Sequence, residues 1–335
     1  MTELSPQDQV VRLASGYWHT QAIYVAAKLG IADELKDGPR SADELAASTG
    51  TNPHALYRLL RALASLGIFA EDEQQRFGLT PMAECLRSDG PCSVRSLAIM
   101  RGEWQYESWG QLLYSVRTGQ SAFEKVYQSP LFDYLARHPD KGKLFDEAMT
   151  GVHGRETAAM LAAYDFSGIG VLADVGGGNG EVITSVLKKY PAMRGILFDQ
   201  PSVIERSRAN IAIAGLADRC EVVSGNFFES VPAGADAYLL RHIIHDWDDA
   251  KSITILRNCR TAMRKGGTLL VVEGMVPPGN EPSLSKFFDL AMMVLPGGME
   301  RTEEEFRQLF TASGFSLKRI VPTISWISVL EGEPA

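Results

Sequence analysis

The stretch Asp174-Val175-Gly176-Gly177-Gly178-Asn179-Gly180 constrains this chain more than any other. It follows the apolar run Ile169–Ala173, which reads as a buried parallel strand, and precedes Val182–Leu187, which reads as the start of a helix. A strand, a glycine loop and a helix in that order make a backbone cradle for a nucleotide-like ligand. Glycine permits positive φ and a close backbone approach. The next apolar run, Gly195-Ile196-Leu197-Phe198, ends in Asp199, a carboxylate placed to accept hydrogen bonds from ribose hydroxyls.

A dinucleotide fingerprint needs a small residue at the end of G-x-G-x-x-G, where helix and strand pack closely. Here Gly176 and Gly178 match, but Glu181 stands at that position. The spacing G-x-G-x-G, with an acid two residues before the first glycine, suits S-adenosylmethionine better than NAD. That molecule has a ribose and an adenine but no pyrophosphate. A glycine turn that holds no ligand is the plainer alternative.

The 335 residues suffice for two cored domains, and 45% apolar with 22% charged residues is ordinary for a soluble globular protein. A net charge of -8 opposes nucleic acid as a partner. Cys85, Cys92, Cys220 and Cys259 form no C-x-x-C pair and no metal spacing, and read as reduced thiols. Met1–Gln9 is polar, and no apolar run is long enough to span a membrane. The expectation is a cytoplasmic chain with no signal peptide and no membrane partner.

Along the chain, Ser41-Ala42-Asp43-Glu44 is a capping box, and Asn52-Pro53 opens a helix. That helix carries an apolar stripe at Leu56, Leu59, Leu60, Leu63 and Leu66 and ends at Gly67. Ile68–Ala70 and Arg76–Thr80, around the turn Glu71-Asp72-Glu73, read as a hairpin. Helix, turn, helix and hairpin form a winged-helix shape, which in other proteins binds DNA. The acidic turn repels phosphate, so dimerisation is the better use of this segment. The aromatic-rich helical stretch from Ser96 to Asp165 joins the domains and supplies part of a pocket roof.

From Phe166 onward, strands alternate with helices: Val171–Val175, Gly195–Asp199, Cys220–Ser224, Ala237–Arg241, Gly267–Glu273, Ser316–Val321 and Ile324–Leu330. The expectation is α/β. A C-terminal, doubly wound, Rossmann-like domain at 101–335 carries a mostly parallel sheet and a terminal antiparallel hairpin. Residues 101–165 supply its connecting helices. A mainly helical, winged-helix-like dimerisation domain occupies 1–100.

The second constellation is Arg241-His242-Ile243-Ile244-His245-Asp246-Trp247-Asp248-Asp249, just beyond a strand. Ligands of open α/β sheets sit past the carboxyl ends of strands, so His242 or His245 faces what the glycine loop holds. Histidine is the natural base near neutral pH, and a phenol benefits from one. Two other readings stay open here. Asp246 and Asp248 can simply cap the next helix. Alternatively, His245, Asp246, Asp248 and Asp249 can ligate a hard cation such as Mg²⁺.

The chain resembles the plant-type and bacterial small-molecule O-methyltransferases, of the caffeic-acid and hydroxyindole type. The likeness spans nearly the whole chain. It rests on Asp174–Gly180, Phe198-Asp199-Gln200-Pro201, Gly225-Asn226-Phe227-Phe228, Arg241–Trp247, Gly266-Gly267 with Glu273, and Gly297-Gly298-Met299-Glu300-Arg301-Thr302. The resemblance implies an S-adenosylmethionine-dependent, metal-independent O-methyltransferase of secondary metabolism, a homodimer through its N-terminal domain, acting on a phenolic hydroxyl. By the same resemblance, His245 is the general base, flanked by Glu273 and Glu300. Asp174, Gly176, Gly178, Asp199, Gln200, Asn226, Phe227 and Arg241 hold the cofactor. Met149, His153, Asp289, Met292 and Met293 line the acceptor site, and the partner's Tyr17 and Trp18 close it. Three positions depart from the pattern: Arg241 for the usual Lys, Asn226 for Asp, and Gln200 for an apolar residue. Some relatives have drifted to hydroxylation or decarboxylation while keeping the cofactor. A regulator that senses S-adenosylmethionine through a winged helix is the non-enzymatic alternative.

Overall fold

The computed structural model describes residues 4–90 and 93–335, excluding the side chains of residues 152 and 153. It forms two compact units, residues 1–107 with 139–152, and residues 108–138 with 153–335.

In the first unit, Ser41 caps helix Ala42–Thr49 through the capping box with Glu44, and Asn52 caps Pro53–Ser65 by accepting from the Ala55 amide. Both caps satisfy amides that have no partner inside their helix. Leu56, Leu60 and Leu63 are buried, but Leu66 is 41% exposed and sits at the C-cap. The apolar stripe therefore ends one turn sooner than its periodicity indicates. The strands β1 (Arg40–Ser41), β2 (Phe69–Glu71) and β3 (Arg76–Leu79) form a small antiparallel sheet in the order β1-β3-β2. Phe69 and Phe77 are buried against Leu45 and Leu60 in one cluster. The acidic turn is partly neutralised, since Asp72 pairs with Arg76 at 2.9 Å and Glu71 accepts from Tyr57 Oη at 2.9 Å.

The second unit holds a seven-stranded sheet of β4 (Val171–Val175), β5 (Arg194–Asp199), β6 (Cys220–Ser224), β7 (Ala237–Arg241), β8 (Thr268–Gly274), β9 (Phe315–Pro322) and β10 (Ile327–Pro334). The strand order is β6-β5-β4-β7-β8-β10-β9, with β10 antiparallel to both neighbours and the other pairs parallel. Alternate residues bury themselves on opposite faces. Ala173, Val175, Tyr238, Leu240, Leu269 and Val271 pack on helices Asp249–Ala262 and Glu303–Ala312. Leu172, Leu197, Leu239, Leu270 and Val272 pack on helix Glu181–Lys189. Burial on both faces explains why these strands read as unbroken apolar runs.

The last strand departs from expectation. It starts at Ile327, not Ile324, and runs on to Pro334. Ile324 is 96% exposed, and Thr323 Oγ1 closes a turn by donating to Ile327 O and accepting from the Ser325 amide. At the other end, Glu331 stays in the strand although buried. Its carboxylate accepts from Tyr164 Oη at 2.8 Å and pairs with Arg319 at 2.7 Å. The sheet order reverses between β4 and β7, and the carboxyl ends of those strands carry both chemical motifs. Among the described residues, no helix is long and apolar enough to cross a membrane, and Cys85, Cys220 and Cys259 are free thiols. Cys92 lies outside the described residues.

Candidate active site

Beyond β4 the chain turns through Gly176 (φ 73), Gly178 (φ 57) and Gly180 (φ 83), a backbone that other residues adopt poorly. At Gly176 space is also closed: a Cβ there would lie 2.4 Å from Ile243 Cδ1. Asp199 holds the loop, with Oδ2 accepting from the Gly178 amide at 2.8 Å and Oδ1 from the Gln200 amide at 2.6 Å. Gln200 itself is exposed at the cap of helix Pro201–Ile213 and makes no side-chain capping bond. Asn226 folds into a local turn, accepting from the Phe228 amide at 3.0 Å. Phe227 meets Trp247 edge-on, with centroids 6.0 Å apart.

Beneath the loop, Asp174 is buried and its Oδ2 has no partner. Burial pushes its carboxyl up to about 7, against the pull of Arg241. Glu181, the residue that broke the dinucleotide fingerprint, reaches across to accept from Thr157 at 2.8 Å and lies 3.5 Å from Arg241. A side chain at that position is tolerated because Gly180 is the residue that sits close to Ile211 and Leu197.

At the end of β7 the chain enters His242 at φ 54, then a single 3-10 turn, Ile244–Asp246. The amides that open this turn have no partner within it. Glu273, on β8, supplies one: its Oε1 accepts from the Ile243 amide at 3.0 Å and the Ile244 amide at 2.9 Å. Its Oε2 lies 3.3 Å from His245 Nδ1 and 3.5 Å from His242 Nδ1. The shorter contact to His245 is from Glu300, whose Oε1 lies 2.7 Å from its Nδ1. A carboxylate only accepts, so Nδ1 carries the proton and Nε2 is the nitrogen left for chemistry. Nε2 lies 3.7 Å from Asp246 Oδ1. Asp289 fixes Glu300 in turn, accepting from its backbone amide at 2.9 Å.

Burial alone would lower the His245 pKa, but Glu273, Asp246 and Glu300 outweigh it and push the ring up to about 10. Burial raises Asp246 to about 7 and also raises Glu300. Glu273 is lowered despite its burial, because His245 and His242 both favour its charge.

The cation-binding alternative is not assembled. Asp248 caps helix Asp249–Ala262 through the Lys251 amide, and Asp249 accepts from Arg301 at 2.8 Å. Asp246 points to His245 and does not cap. His242, His245 and Glu273 do come within 4.8 Å of one another. One nitrogen of each ring is already taken at 2.7 Å by a carboxylate outside that trio, His242 Nε2 by Glu156 and His245 Nδ1 by Glu300, and we assign no ion there.

Of the expected acceptor residues, Met292 is buried, while Met293 and Asp289 are half-buried on helix Leu284–Val294. Met149 belongs to the first compact unit, and the His153 side chain lies outside the described residues.

The model of the O-methyltransferase domain matches residues 109–316, and that of the O-methyltransferase dimerisation domain matches residues 11–89. The chain belongs to the S-adenosylmethionine-dependent O-methyltransferases. A phenazine O-methyltransferase of Lysobacter antibioticus is 48% identical over 97% of this chain and 95% of its own. The mitomycin 7-O-methyltransferase structure is 38% identical with a TM-score of 0.91, covering 98% of each chain. An O-methyltransferase from neocarzinostatin biosynthesis was solved with S-adenosylmethionine and 2-hydroxy-5-methyl naphthoic acid. It is 32% identical with a TM-score of 0.84, covering 95% of this chain and 96% of that one.

This O-methyltransferase fits S-adenosylmethionine on its own geometry. The unpartnered buried Asp174 oxygen and a loop whose conformation demands glycine are what a small polar ligand uses. Three residues of the site escape sequence reasoning in these roles. Glu156 accepts from Trp326 Nε1 at 2.6 Å and lies 2.7 Å from His242 Nε2. Trp326 is stacked on His242. Arg301 is fully buried and clamps the turn that carries His245, donating to Ile244 O at 3.0 Å, Trp247 O at 2.9 Å and Asp249. No spacing links Glu156 to His242 or Trp326; only the fold does.

Lysine cannot reproduce the planar fork of Arg301. R301K is expected to leave buried carbonyls unpaired, at a cost of about 1–3 kcal/mol. Thermal unfolding should show a lower Tm, and kcat should fall because the His245 turn loosens.

Proposed function

We propose that this O-methyltransferase methylates a hydroxyl on a flat aromatic small molecule in secondary-metabolite biosynthesis, with His245 as general base and no metal. The observation that carries the reading is the buried His245 ring, anchored at Nδ1 by Glu300 and offering Nε2. When bound, S-adenosylmethionine supplies a sulfonium methyl and is left as S-adenosylhomocysteine. His245 Nε2 takes the hydroxyl proton as the oxygen gains its methyl, so neither a free phenolate nor a cationic ether accumulates. Glu300 keeps the ring in the tautomer that can accept. Asp174, Gly176, Gly178, Asp199, Gln200, Asn226, Phe227 and Arg241 are the proposed cofactor residues. Met149, His153, Asp289, Met292 and Met293 are the proposed acceptor residues. The acceptor class is supported by the names of the relatives, which act on phenazine, mitomycin and naphthoate skeletons.

The elevated His245 suits a phenol. Ordinary histidine, near 6.5, lies about 3.5 units below a phenol near 10, and transfer to it costs about 5 kcal/mol. A ring pushed to about 10 receives that proton almost without cost.

A dimerisation domain at 1–100 and a methyltransferase domain at 101–335 belong to the same proposal, as do a homodimer, no nucleic-acid or membrane partner, and a cytoplasmic location. Helix Pro6–Ala14 buries none of its residues, and Val10, Val11, Leu13, Tyr17 and Trp18 are exposed. That apolar surface, inside a chain segment of the dimerisation family, supports pairing with a second copy, whose Tyr17 and Trp18 would close the acceptor site.

Purified protein, methyl-labelled S-adenosylmethionine and a panel of hydroxyphenazines and hydroxynaphthoates, with EDTA present, test the reading by mass spectrometry. Label is expected on an aromatic oxygen. Oxygen insertion or carboxyl loss without label would overturn it. His245→Ala should lower kcat by about 10²–10⁴-fold while calorimetry shows S-adenosylhomocysteine affinity unchanged. Below its raised pKa the His245 ring is protonated and cannot accept. Turnover should therefore climb with pH, its acid limb centred above the ordinary histidine value of about 6.5 and missing from the His245→Ala profile. Deleting residues 1–18 should convert a dimer to a monomer by light scattering.

A further inference from the structure

His242 is not needed to explain the anchoring of His245, yet the chain holds it under unusual constraint. Its backbone is left-handed at φ 54, where L side chains are uncommon. Its ring is buried and meets a carboxylate at each nitrogen: Nε2 lies 2.7 Å from Glu156 Oε2, and Nδ1 lies 3.5 Å from Glu273 Oε2. A ring facing two carboxylates satisfies both only with a proton on each nitrogen, which makes it a cation. Glu156 is itself fixed by Trp326, whose ring stacks on His242 with centroids 5.5 Å apart. On the other side His242 stacks on His245, with centroids 5.1 Å apart and planes 30° from parallel.

We propose that His242 is a positioning residue for methyl transfer: clamped as a cation between Glu156 and Glu273, it neutralises Glu273 and limits how firmly the carboxylates hold the proton on His245. This rests on His245 being the base. The groups facing His245 are Glu273, Glu300, Asp246 and the His242 ring, with Phe288 packed at 5.8 Å. Those facing His242 are Glu156, Glu273 and His245, and Arg241 favours the charge on Glu156. Three carboxylates therefore hold the proton on the base and one neighbouring imidazolium opposes them. Both rings are raised, burial being outweighed for His242 by Glu156 and Glu273. His245 depresses the charge on His242, and repulsion between like charges acts in both directions. Without His242, Glu273 would pair with His245 alone. That ring would then keep its proton to higher pH, and less of the enzyme would be able to accept one.

With six histidines in the chain, NMR titration of full-length protein labelled at histidine Cε1 and at the ring nitrogens reads each ring directly. His242→Asn is the informative variant, since asparagine tolerates the left-handed backbone and carries no charge. His242 in the unsubstituted protein should stay doubly protonated beyond the midpoint of an ordinary histidine, about 6.5. In H242N the His245 midpoint should rise by about one unit or more. Glu156→Gln, which removes one partner of the cation, should move it in the same direction by less. The acid limb of kcat should follow, with S-adenosylhomocysteine affinity unchanged. A neutral His242 ring at pH 7, or a His245 midpoint unmoved or lowered in folded H242N, would overturn the proposal. Should H242N fail to fold, E156Q and the ring state of His242 decide. An acid limb that persists in H245A would remove the base reading beneath the proposal, whatever the rings show by NMR. An unmoved midpoint would remove the proposal and leave the base reading intact.

Discussion

The site depends on one buried carboxylate. Glu273 is fully buried, and one of its oxygens accepts three backbone amides while the other faces two imidazoles. A charge in that position, without partners, would cost several kcal/mol. With them it becomes the fixed point around which the His242–His245 turn is built. The turn cannot slide without orphaning amides, and the rings cannot rotate without losing a charge partner. Arg301 holds the same turn from the other side through its carbonyls, so donors and acceptors of one short segment are each held by a buried charged group.

The sheet explains why these groups meet at all. Parallel β4, β7 and β8 lie side by side and all end at the same edge. They deliver the glycine loop, His242–His245 and Glu273 to one place. The order reverses between β4 and β7, so the helices following them leave on opposite faces and open a crevice there. A ligand seated on the glycine loop thus has the His242–His245 turn beside it by topology, before any side chain is chosen. Gly176 shows how tight that junction is, since a Cβ there would lie 2.4 Å from Ile243 Cδ1 and force that side chain to move.

Much of this was readable from residues alone, because the signals were local. The glycine run, the apolar strands, the two N-caps and the pair His242 and His245 each declare themselves within a few positions. What was hidden is long-range or depends on compensation. Glu156 reads as one acid among many on a helix. Only folding brings it to His242 and Trp326. Nor does spacing show that the Asp289 carboxylate accepts from the Glu300 amide. The last strand starts later than its apolar pattern suggests, because Ile324 and Trp326 look like strand residues. The exposed Ile324 belongs to a turn, and the buried Glu331 is tolerated inside the strand by Tyr164 and Arg319. Pattern reading assigns burial by residue type, and it fails where a partner far along the chain changes the cost of burial.

On the proposed reading of His245, the electrostatics of the site meet two competing demands on a base for phenols. A strong base matches the proton it must take, but it is seldom free to take it at neutral pH. Carboxylates alone satisfy the first demand at the expense of the second, since each one added beside His245 strengthens its hold on its own proton. A neighbouring cation works in the opposite direction. It also has to be buried in order to act strongly, because charges are poorly screened away from water. A second imidazole, stacked on the first and paired with its own carboxylate, meets that requirement without adding a net charge to the interior. On this view Glu156 and His242 form a neutral unit behind the base. Their value lies in letting Glu273 brace the His245 turn without holding its proton too tightly.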